Sequence, residues 1–339
     1  MNTKKGARKV YRRRTAMKLT NSELKNFVHR IKLKQENMGK YRDQLTHLKD
    51  KLQDKIKNDE RNAIRVTKFL IAGSWKKHTI LRHTGEHPID IDLILYVEGD
   101  ANLAKDLKKL HDFVYDYLAS IYPTKDIERD VDMEGNTKSI KIKFISSGLE
   151  IDIVPVVPLA SPAGYVLQPQ RGGGGKYTTS VEGQLAFAKN RYQANNSFNA
   201  IVRCLKWWRN YKELKPELTS FMIELIVAYL DVNEGIETNI EEGIIRFFRF
   251  VSGPNFPVIK FKEAINQIPV YSTPVFIGDP TNNENNAGKK TDTITWADIA
   301  KEADFAFEAL NYAQSINTGG STNEEWKSVF GPSFNINQD

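Results

Sequence analysis

Apolar residues occupy every second position over residues 89–97, and this is the clearest hydrophobic pattern in the chain. A period of two predicts a β-strand with one buried face, and it places Asp90 and Asp92 together on the other face. A similar alternation at 140–144 and an apolar run at 149–157 predict two more strands. The short apolar segment at 66–72 is interpreted as a further strand or as the end of a helix.

Apolar residues at helical spacing predict a long N-terminal helix over residues 22–58, which braces the rest of the protein, and an amphipathic helix over 102–121. The pattern changes after Pro158, where Pro, Gly and Gln dominate up to the glycine run at 172–175, which indicates a flexible connection. Further helices are predicted at 181–191, 198–211, 216–230, 240–250 and 296–317. Residues 279–290 are predicted as a polar loop, and the last 20 residues as a frayed end.

This order of elements predicts an α/β region whose sheet is at least partly antiparallel, followed by a helical region. The 339 residues provide enough chain for two domains. We predict a basic flexible tail at 1–20, an α/β domain with the N-terminal helix at 21–175, and a helical C-terminal lobe at 176–339.

The positive charge of the chain is concentrated at its beginning. The formal net charge is +7, and seven of the first 14 residues are Lys or Arg, so the remainder is close to neutral. We interpret this tail as a solubilising segment, with contact to nucleic acid or phosphate as the alternative. The single cysteine, Cys204, excludes an intramolecular disulfide and favours a reducing, cytoplasmic compartment. No apolar run approaches the roughly 20 residues of a membrane span, so no membrane association is predicted.

Two aspartates on one strand face become informative in combination with two other features. Gly73-Ser74 lies 16 residues before Asp90, and a Gly-Ser turn is suited to hold a triphosphate. Asp152 lies between two isoleucines in the 149–157 strand, so it also points away from the core. Phosphoryl and nucleotidyl transfer need positioning and charge neutralisation, and carboxylates are the ligands that Mg²⁺ uses for this. The combination predicts a nucleotidyltransferase active site.

Other charged residues near Gly73-Ser74 are open to two interpretations. Lys76, Lys77 and Arg82 add positive charge beside the turn, with a solvated basic loop as the alternative. The three histidines at 78, 83 and 87 have no accompanying cysteine and no zinc-site spacing, so a zinc site is not predicted.

The segments GSWKKHTILR (73–82), HPIDIDLILYV (87–97) and LEIDIVPVV (149–157) resemble the polymerase-β-like nucleotidyltransferases. The likeness is greatest to the group of oligoadenylate synthetases, cyclic GMP-AMP synthase and the bacterial CD-NTases, which are the oligonucleotide cyclases of anti-phage CBASS systems. The resemblance implies a nucleotidyltransferase palm with a mixed sheet and a helical C-terminal lobe.

Downstream segments extend the resemblance to about residue 315. VRCLKWWRNY (202–211) resembles the family helix whose lysine, here Lys206, contacts the donor triphosphate. LTSFMIELIVAYL (218–230) resembles the helix whose serine, here Ser220, touches phosphate and whose aromatic residue, here Phe221, stacks on the donor base. IGDPTNNENNAG (277–288) resembles an Asp-Pro…Asn-Asn loop of oligoadenylate-synthetase-like proteins. Two residues depart from the family pattern: His78 stands where glycine is common, and Phe221 replaces a tyrosine.

The resemblance implies a set of ligands and partners. Two Mg²⁺ ions, for which Mn²⁺ can substitute, are expected on Asp90, Asp92 and Asp152, and Gly73, Ser74, Lys206, Ser220 and Phe221 are expected to bind nucleotide. ATP and other NTPs are the expected substrates, with a HORMA-type regulatory partner and a separate effector that responds to the product. No zinc insertion for DNA is present, which argues against activation by double-stranded DNA. The alternatives are a synthase of linear oligoadenylate or RNA tails and a catalytically silent nucleotide-binding regulator.

Overall fold

The computed structural model describes residues 19–60, 64–99, 105–131, 137–169, 176–266, 271, 273–316 and 318–336. Most of the predicted basic tail and the glycine run at 172–175 lie outside the described residues. Within the described ranges, no helix is both long enough and apolar enough to cross a bilayer.

Among the described residues, a seven-stranded sheet dominates the first half of the chain. Its strands run in the order β1-β2-β5-β4-β3, with β6 paired to β5 and β7 paired to β6. Only β2 and β5 pair in parallel among these strands, so the predicted mixed sheet is confirmed. The strands are β1 (Arg65–Ile71), β2 (Ile89–Glu98), β3 (Asp126–Val131), β4 (Thr137–Phe144), β5 (Leu149–Pro158), β6 (Val166–Pro169) and β7 (Lys176–Thr179).

The predicted long N-terminal helix is two helices, α1 (Asn21–Ile31) and α2 (Met38–Lys57). Thr20 and Glu23 form a capping box that starts α1, and α1 ends where Lys32 adopts an extended backbone. The apolar stripe of α1 packs in the core of the helical lobe, whereas that of α2 packs with the sheet. The two stripes in the sequence therefore belong to two different cores, because the chain crosses from one to the other at Lys32–Asn37.

One face of the sheet is covered by α2 and by α4 (Leu107–Ile121). The apolar residues of the alternating strands β2, β4 and β5 are completely buried there together with leucines of both helices. The opposite face carries the polar residues of the same strands and, further along β2 and β5, a smaller buried apolar cluster that includes Ile94, Tyr96, Val154 and Val156. Between β1 and β2 the chain forms a single turn of helix, α3 (Gly73–Lys76).

The second half of the chain is the helical lobe. The predicted boundary at residue 175 immediately precedes β7, which pairs with β6, so the large sheet continues past this position. The elements of the lobe are α5 (Val181–Ala194), α6 (Phe198–Tyr211), α7 (Ser220–Asn233), α8 (Ile240–Val251), β8 (Val258–Ile259), β9 (Phe276–Asp279), β10 (Asn282–Asn286), α9 (Thr293–Ser315) and α10 (Gly319–Phe330).

The prediction of a frayed C-terminal end is wrong. Helix α10 buries Trp326, Val329 and Phe330 in the core of the lobe, and Phe334 follows them into the same core. Trp326 stacks on Phe330 at a centroid distance of 5.4 Å and on Phe334 at 5.0 Å. The segment is polar in composition, but three of its apolar residues lie on one face of the helix and Phe334 joins them from beyond its end.

The predicted polar loop at 279–290 is partly a hairpin, β9–β10, built around the buried Asp279. Its carboxylate accepts hydrogen bonds from Thr179 at 2.8 Å, from Gln184 at 2.8 Å and from the amide and hydroxyl of Thr281 at 2.8 Å. Because Thr179 ends β7 and Gln184 lies on α5, this carboxylate ties the hairpin to the end of the large sheet.

Candidate active site

The parallel pairing of β2 and β5 assembles four carboxylates on the polar face of the sheet. Asp92 lies directly opposite Asp152, and Asp90 lies directly opposite Glu150. We refer to these four residues as the acidic face. The structure thus brings together the three aspartates that were predicted as a site. Sequence reasoning missed Glu150, although it precedes Asp152 by two positions and must share its face.

Gly73 contacts the acidic face so closely that no side chain fits there. Its φ of +56° is a conformation that favours glycine, and an added Cβ would lie 1.6 Å from Oδ2 of Asp92. The adjacent Ala72 amide donates to the carbonyl of Asp92 at 2.9 Å. The Gly-Ser turn is therefore attached to the strand that carries the predicted metal ligands, and Ser74 is partly buried beside it.

A lysine that sequence reasoning did not select lies within the acidic face. Lys141 of β4 is the register partner of Asp152. Its Nζ is 2.6 Å from Oε2 of Glu150 and 3.8 Å from Oδ1 of Asp152. Burial by itself lowers the pKa of Lys141, but Asp152, Glu150 and Asp90 outweigh this effect and raise it above its usual value. The alternation of 140–144 already placed Lys141 on the polar face, which was the available signal.

The carboxylates of the acidic face repel one another. The surrounding protein, followed by the charges of Asp92 and Glu150, raises the pKa of Asp90 to about 6, although Lys141 and Lys215 oppose this shift. Asp90 is nevertheless exposed at the surface of the sheet, so solvent and ions reach it. An exposed carboxylate that resists ionisation beside other carboxylates is a place where a cation binds favourably.

The acidic face suits a divalent metal by its chemistry, although its side chains do not converge on one point. Within the described residues, no three Asp, Glu, His or Cys side chains are arranged as a ready metal site. The oxygen ligands, their facing register and the raised pKa of Asp90 nevertheless fit a hard cation such as Mg²⁺. We conclude that the residue types and backbone positions fit the metal.

Three cations of the helical lobe form a second group, which we refer to as the cationic cluster: Lys206, Arg209 and Lys215. Lys206 and Arg209 are buried, and Lys215 is exposed. Burial and the charge of Arg209 lower the pKa of Lys206 to about 7 and that of Lys215 to about 8, and burial lowers the pKa of Arg209 to about 9. Asp90 and Glu150 partly counteract the shift at Lys215, so the two groups of charge lie near each other.

Ser220 lies beside the cationic cluster. Arg209 donates to the hydroxyl of Ser220 at 3.0 Å and to the carbonyl of Leu218 at 3.3 Å. The other acceptor that the structure gives Arg209 is the side-chain oxygen of Asn210, so these partners are all neutral. Sequence reasoning missed Arg209 and Lys215, because nothing in their local sequence distinguishes them from solvated helix and loop residues.

Phe221 lies next to a buried ion pair. Lys77 Nζ is 2.6 Å from Oε1 of Glu224 and 4.7 Å from the centroid of the Phe221 ring. The alternative of a solvated basic loop is therefore wrong for Lys77, whereas Lys76 is exposed. The pair connects the turn after Gly73-Ser74 with helix α7, and one side of the Phe221 ring carries a cation.

Comparisons with known proteins identify the family to which this chain belongs. Residues 17–178 match the model of the Second Messenger Oligonucleotide or Dinucleotide Synthetase domain. The chain is 32% identical over 323 residues to the CBASS oligonucleotide cyclase CdnC of Escherichia coli strain KTE188, covering 94% of this chain and 99% of the relative. It is 30% identical over 318 residues to a cyclic AMP-AMP-AMP synthase of Escherichia coli strain MS 115-1, covering 90% of this chain and 94% of the relative.

Two solved structures are similar to this chain over almost their whole length. CdnC of E. coli MS115-1 with ATP has a TM-score of 0.75 at 27% identity and covers 94% of this chain and 99% of that chain. The complex of CdnC with HORMA-deltaN has a TM-score of 0.74 at 27% identity and covers 94% of this chain and 98% of that chain. The resemblance found in the sequence is thereby confirmed, and the chain belongs to the family of CBASS oligonucleotide cyclases.

Proposed function

We propose that this protein is a Mg²⁺-dependent nucleotidyltransferase that joins nucleoside triphosphates into a cyclic oligonucleotide second messenger for anti-phage defence. The observation that carries the proposal is the pairing of the acidic face with the cationic cluster. A metal ion matches the first group, and a triphosphate matches the second. Nucleotidyl transfer needs the negative charges of the carboxylates and of the triphosphate to be neutralised at adjacent places.

The three aspartates are the proposed metal ligands. Asp90, Asp92 and Asp152 would hold two Mg²⁺ ions, which in this chemistry lower the pKa of the attacking hydroxyl and neutralise the leaving pyrophosphate. Lys141 and Glu150 keep Asp152 oriented in the protein without bound metal. Lys141 lies within 4.0 Å of both carboxylates of β5, those of Glu150 and Asp152.

The donor triphosphate would lie between the Gly-Ser turn and the helical lobe. Gly73 and Ser74 approach it from the sheet, whereas Lys206 and Ser220 approach it from α6 and α7. Arg209 orients the Ser220 hydroxyl through the 3.0 Å bond and adds positive charge. Phe221 offers a ring for stacking on the base.

The reaction breaks one bond for each bond formed. A ribose hydroxyl of a second nucleotide attacks the α-phosphorus of the donor, the bond to the pyrophosphate breaks, and the proton of the hydroxyl passes to Asp152. Repetition with the free 5′ end as donor closes the ring. ATP is the proposed substrate, because a similar structure contains CdnC with ATP and a relative is named cyclic AMP-AMP-AMP synthase.

A HORMA-type protein is the proposed regulatory partner, since CdnC has been solved in complex with HORMA-deltaN at a TM-score of 0.74 to this chain. A separate effector that binds the cyclic product would complete the defence pathway. Both partners are carried over from the family and require tests of their own.

The test is a product assay. The purified protein is incubated with four NTPs and Mg²⁺, treated with phosphatase and examined by mass spectrometry, with the Asp90→Ala/Asp92→Ala double variant as the control. A phosphatase-resistant cyclic product that the control does not form supports the proposal. A phosphatase-sensitive ladder would instead identify a synthase of linear oligonucleotides. Synthesis by the double variant would contradict the assignment of the metal ligands. If wild type is silent, the assay is repeated with Mn²⁺ and a HORMA-type protein, and continued silence contradicts the proposal.

A further inference from the structure

Three side chains on one face of α6 donate hydrogen bonds to three consecutive backbone carbonyls of the segment 73–79, the Gly-Ser loop. Asn199, Arg203 and Lys206 are spaced i, i+4 and i+7, so they lie along one side of the helix. Asn199 binds the carbonyl of residue 77 at 3.3 Å, Arg203 binds that of residue 78, and Lys206 binds that of residue 79 at 2.9 Å. We refer to these three hydrogen bonds as the α6 clamp.

The middle carbonyl belongs to a residue in an unfavourable backbone conformation. His78 has a φ of +58°, in the left-handed region that favours glycine. Its side chain is exposed, and its ring meets the edge of Tyr192 at a centroid distance of 6.3 Å. The present chain keeps the conformation that glycine adopts without strain, but it does so with a residue that carries a Cβ.

The conformation of His78 determines how the loop closes on its own beginning. The amides of residues 77, 78 and 79 donate to the carbonyls of Gly73, Trp75 and Ser74 at 3.1, 3.3 and 2.9 Å. Gly73 lies against Asp92, so a change in the backbone conformation of His78 alters the turn that contacts the acidic face. The α6 clamp acts at the point where the loop is most strained.

We propose that the α6 clamp keeps His78 in the left-handed conformation and thereby holds the Gly-Ser loop in its nucleotide-binding shape, with Arg203 and Asn199 as positioning residues. The consequence for nucleotide rests on the proposed function, whereas the clamp is a property of the nucleotide-free protein. Without the clamp, the loop populates other conformers, and the apparent nucleotide affinity is the intrinsic affinity multiplied by the fraction that remains competent.

The first measurement is hydrogen–deuterium exchange of the backbone amides of residues 77–79 in the nucleotide-free protein. Arg203→Met removes the central donor and keeps most of the aliphatic side chain, and we expect these amides to exchange about tenfold faster. Adding His78→Gly is expected to return exchange to within about threefold of wild type, because glycine adopts positive φ readily. The control is Arg249→Met on α8, which removes an exposed arginine that pairs with Glu234 at 3.1 Å and leaves the loop untouched.

The second measurement is the Kd of a non-hydrolysable ATP analogue with Mg²⁺ for the same variants. Arg203→Met is expected to raise this Kd by the reciprocal of the fraction of loop conformers that remains competent, and His78→Gly is expected to restore it in the double variant. A merely structural loss in α6 would not be rescued by a substitution in the loop.

The outcomes separate the clamp from the proposed function. Unchanged exchange in Arg203→Met overturns the clamp, even when nucleotide binding weakens, because Arg203 would then contact the nucleotide directly. Faster exchange without rescue by His78→Gly overturns the role of His78. If the amides exchange as expected but wild type does not bind the analogue, the clamp is supported and the proposed function is rejected. If Arg203→Met does not fold, Asn199→Ala takes its place, with about threefold faster exchange as the expected result and unchanged exchange as the contrary one.

Discussion

The acidic face and the cationic cluster have opposite charges and are built in opposite ways. The acidic face lies on two neighbouring strands, where the backbone register sets each carboxylate opposite another. The cationic cluster combines residues of α6 with a residue of the loop that follows it, and its depressed pKa values arise from burial and mutual repulsion. Regular backbone geometry thus positions the acidic face, whereas tertiary packing creates the cationic cluster.

The largest effect is expected from a substitution that disturbs the acidic face through the backbone. In Gly73→Ala, the new Cβ would lie 1.6 Å from Oδ2 of Asp92 and the φ of +56° would be strained. We expect a loss of at least about 100-fold in the rate of product formation, because a displacement of about 1 Å at a catalytic group has this effect. The matched control is Gly85→Ala, which meets no atom within 4 Å. Equal activity of the two variants would contradict the close contact.

The next effect concerns Asp279, whose carboxylate ties the hairpin β9–β10 to the end of the large sheet. Asp279→Ala leaves the donors of Thr179 and Gln184 without their acceptor in the protein interior. The expected loss is about 3 kcal/mol in the free energy of unfolding, or about 6 °C in Tm. Asp298→Ala, at an exposed position of α9, serves as the control in the same thermal scan. A shift below 1 °C in Asp279→Ala would show that the hydrogen bonds contribute little.

The cationic cluster is tested by the protons that nucleotide binding takes up. Lys206 and Lys215 have pKa values of about 7 and 8, so at pH 8 the first is mostly neutral and the second is half protonated. A bound triphosphate favours the charged forms and raises both values, so we expect the uptake of about one proton per ATP. Calorimetry in buffers of different ionisation enthalpy measures this uptake. Lys206→Met should remove most of it, and proton release would contradict the proposed triphosphate site.

The smallest effect is a gain in stability at the acidic face. The pKa of Asp90 in the folded protein is about 6, above the ordinary aspartate value of 3.8, so folding favours the protonated form. The stabilising contribution is full below pH 3.8 and is lost as the pH rises through about 6. Asp90→Asn should therefore raise the Tm of the metal-free protein at pH 8 by about 2 °C, a value kept small by solvent screening at this exposed residue.

The same experiment has an internal control. The difference between Asp90→Asn and wild type should shrink at pH 5, where Asp90 is already mostly protonated in the folded protein. Mg²⁺ should stabilise wild type at pH 8 more than it stabilises the variant. A variant that is less stable than wild type at both pH values would show that Asp90 supports the fold and is not held there for metal binding.

Several parts of the fold and the site could be predicted from local sequence. The strand at 89–97 and the helix at 198–211 coincide with β2 and α6 to within one residue at either end. Asp90, Asp92 and Asp152 were predicted on one sheet face and lie there. Strand and helix periods are properties of the local backbone, so a single segment reveals them.

Other features depend on segments that are distant in the sequence. The ion pair of Lys77 and Glu224 joins residues separated by 147 positions, and the bond from Lys206 to Thr79 spans 127 positions. The break between α1 and α2 and the burial of α10 likewise reflect which core each apolar stripe joins. The sequence by itself determined the strands β2, β4 and β5, the three aspartates and the family. The tertiary structure alone decided which lysines and arginines are buried near the site, because the burial of a long cationic side chain depends on what packs around it.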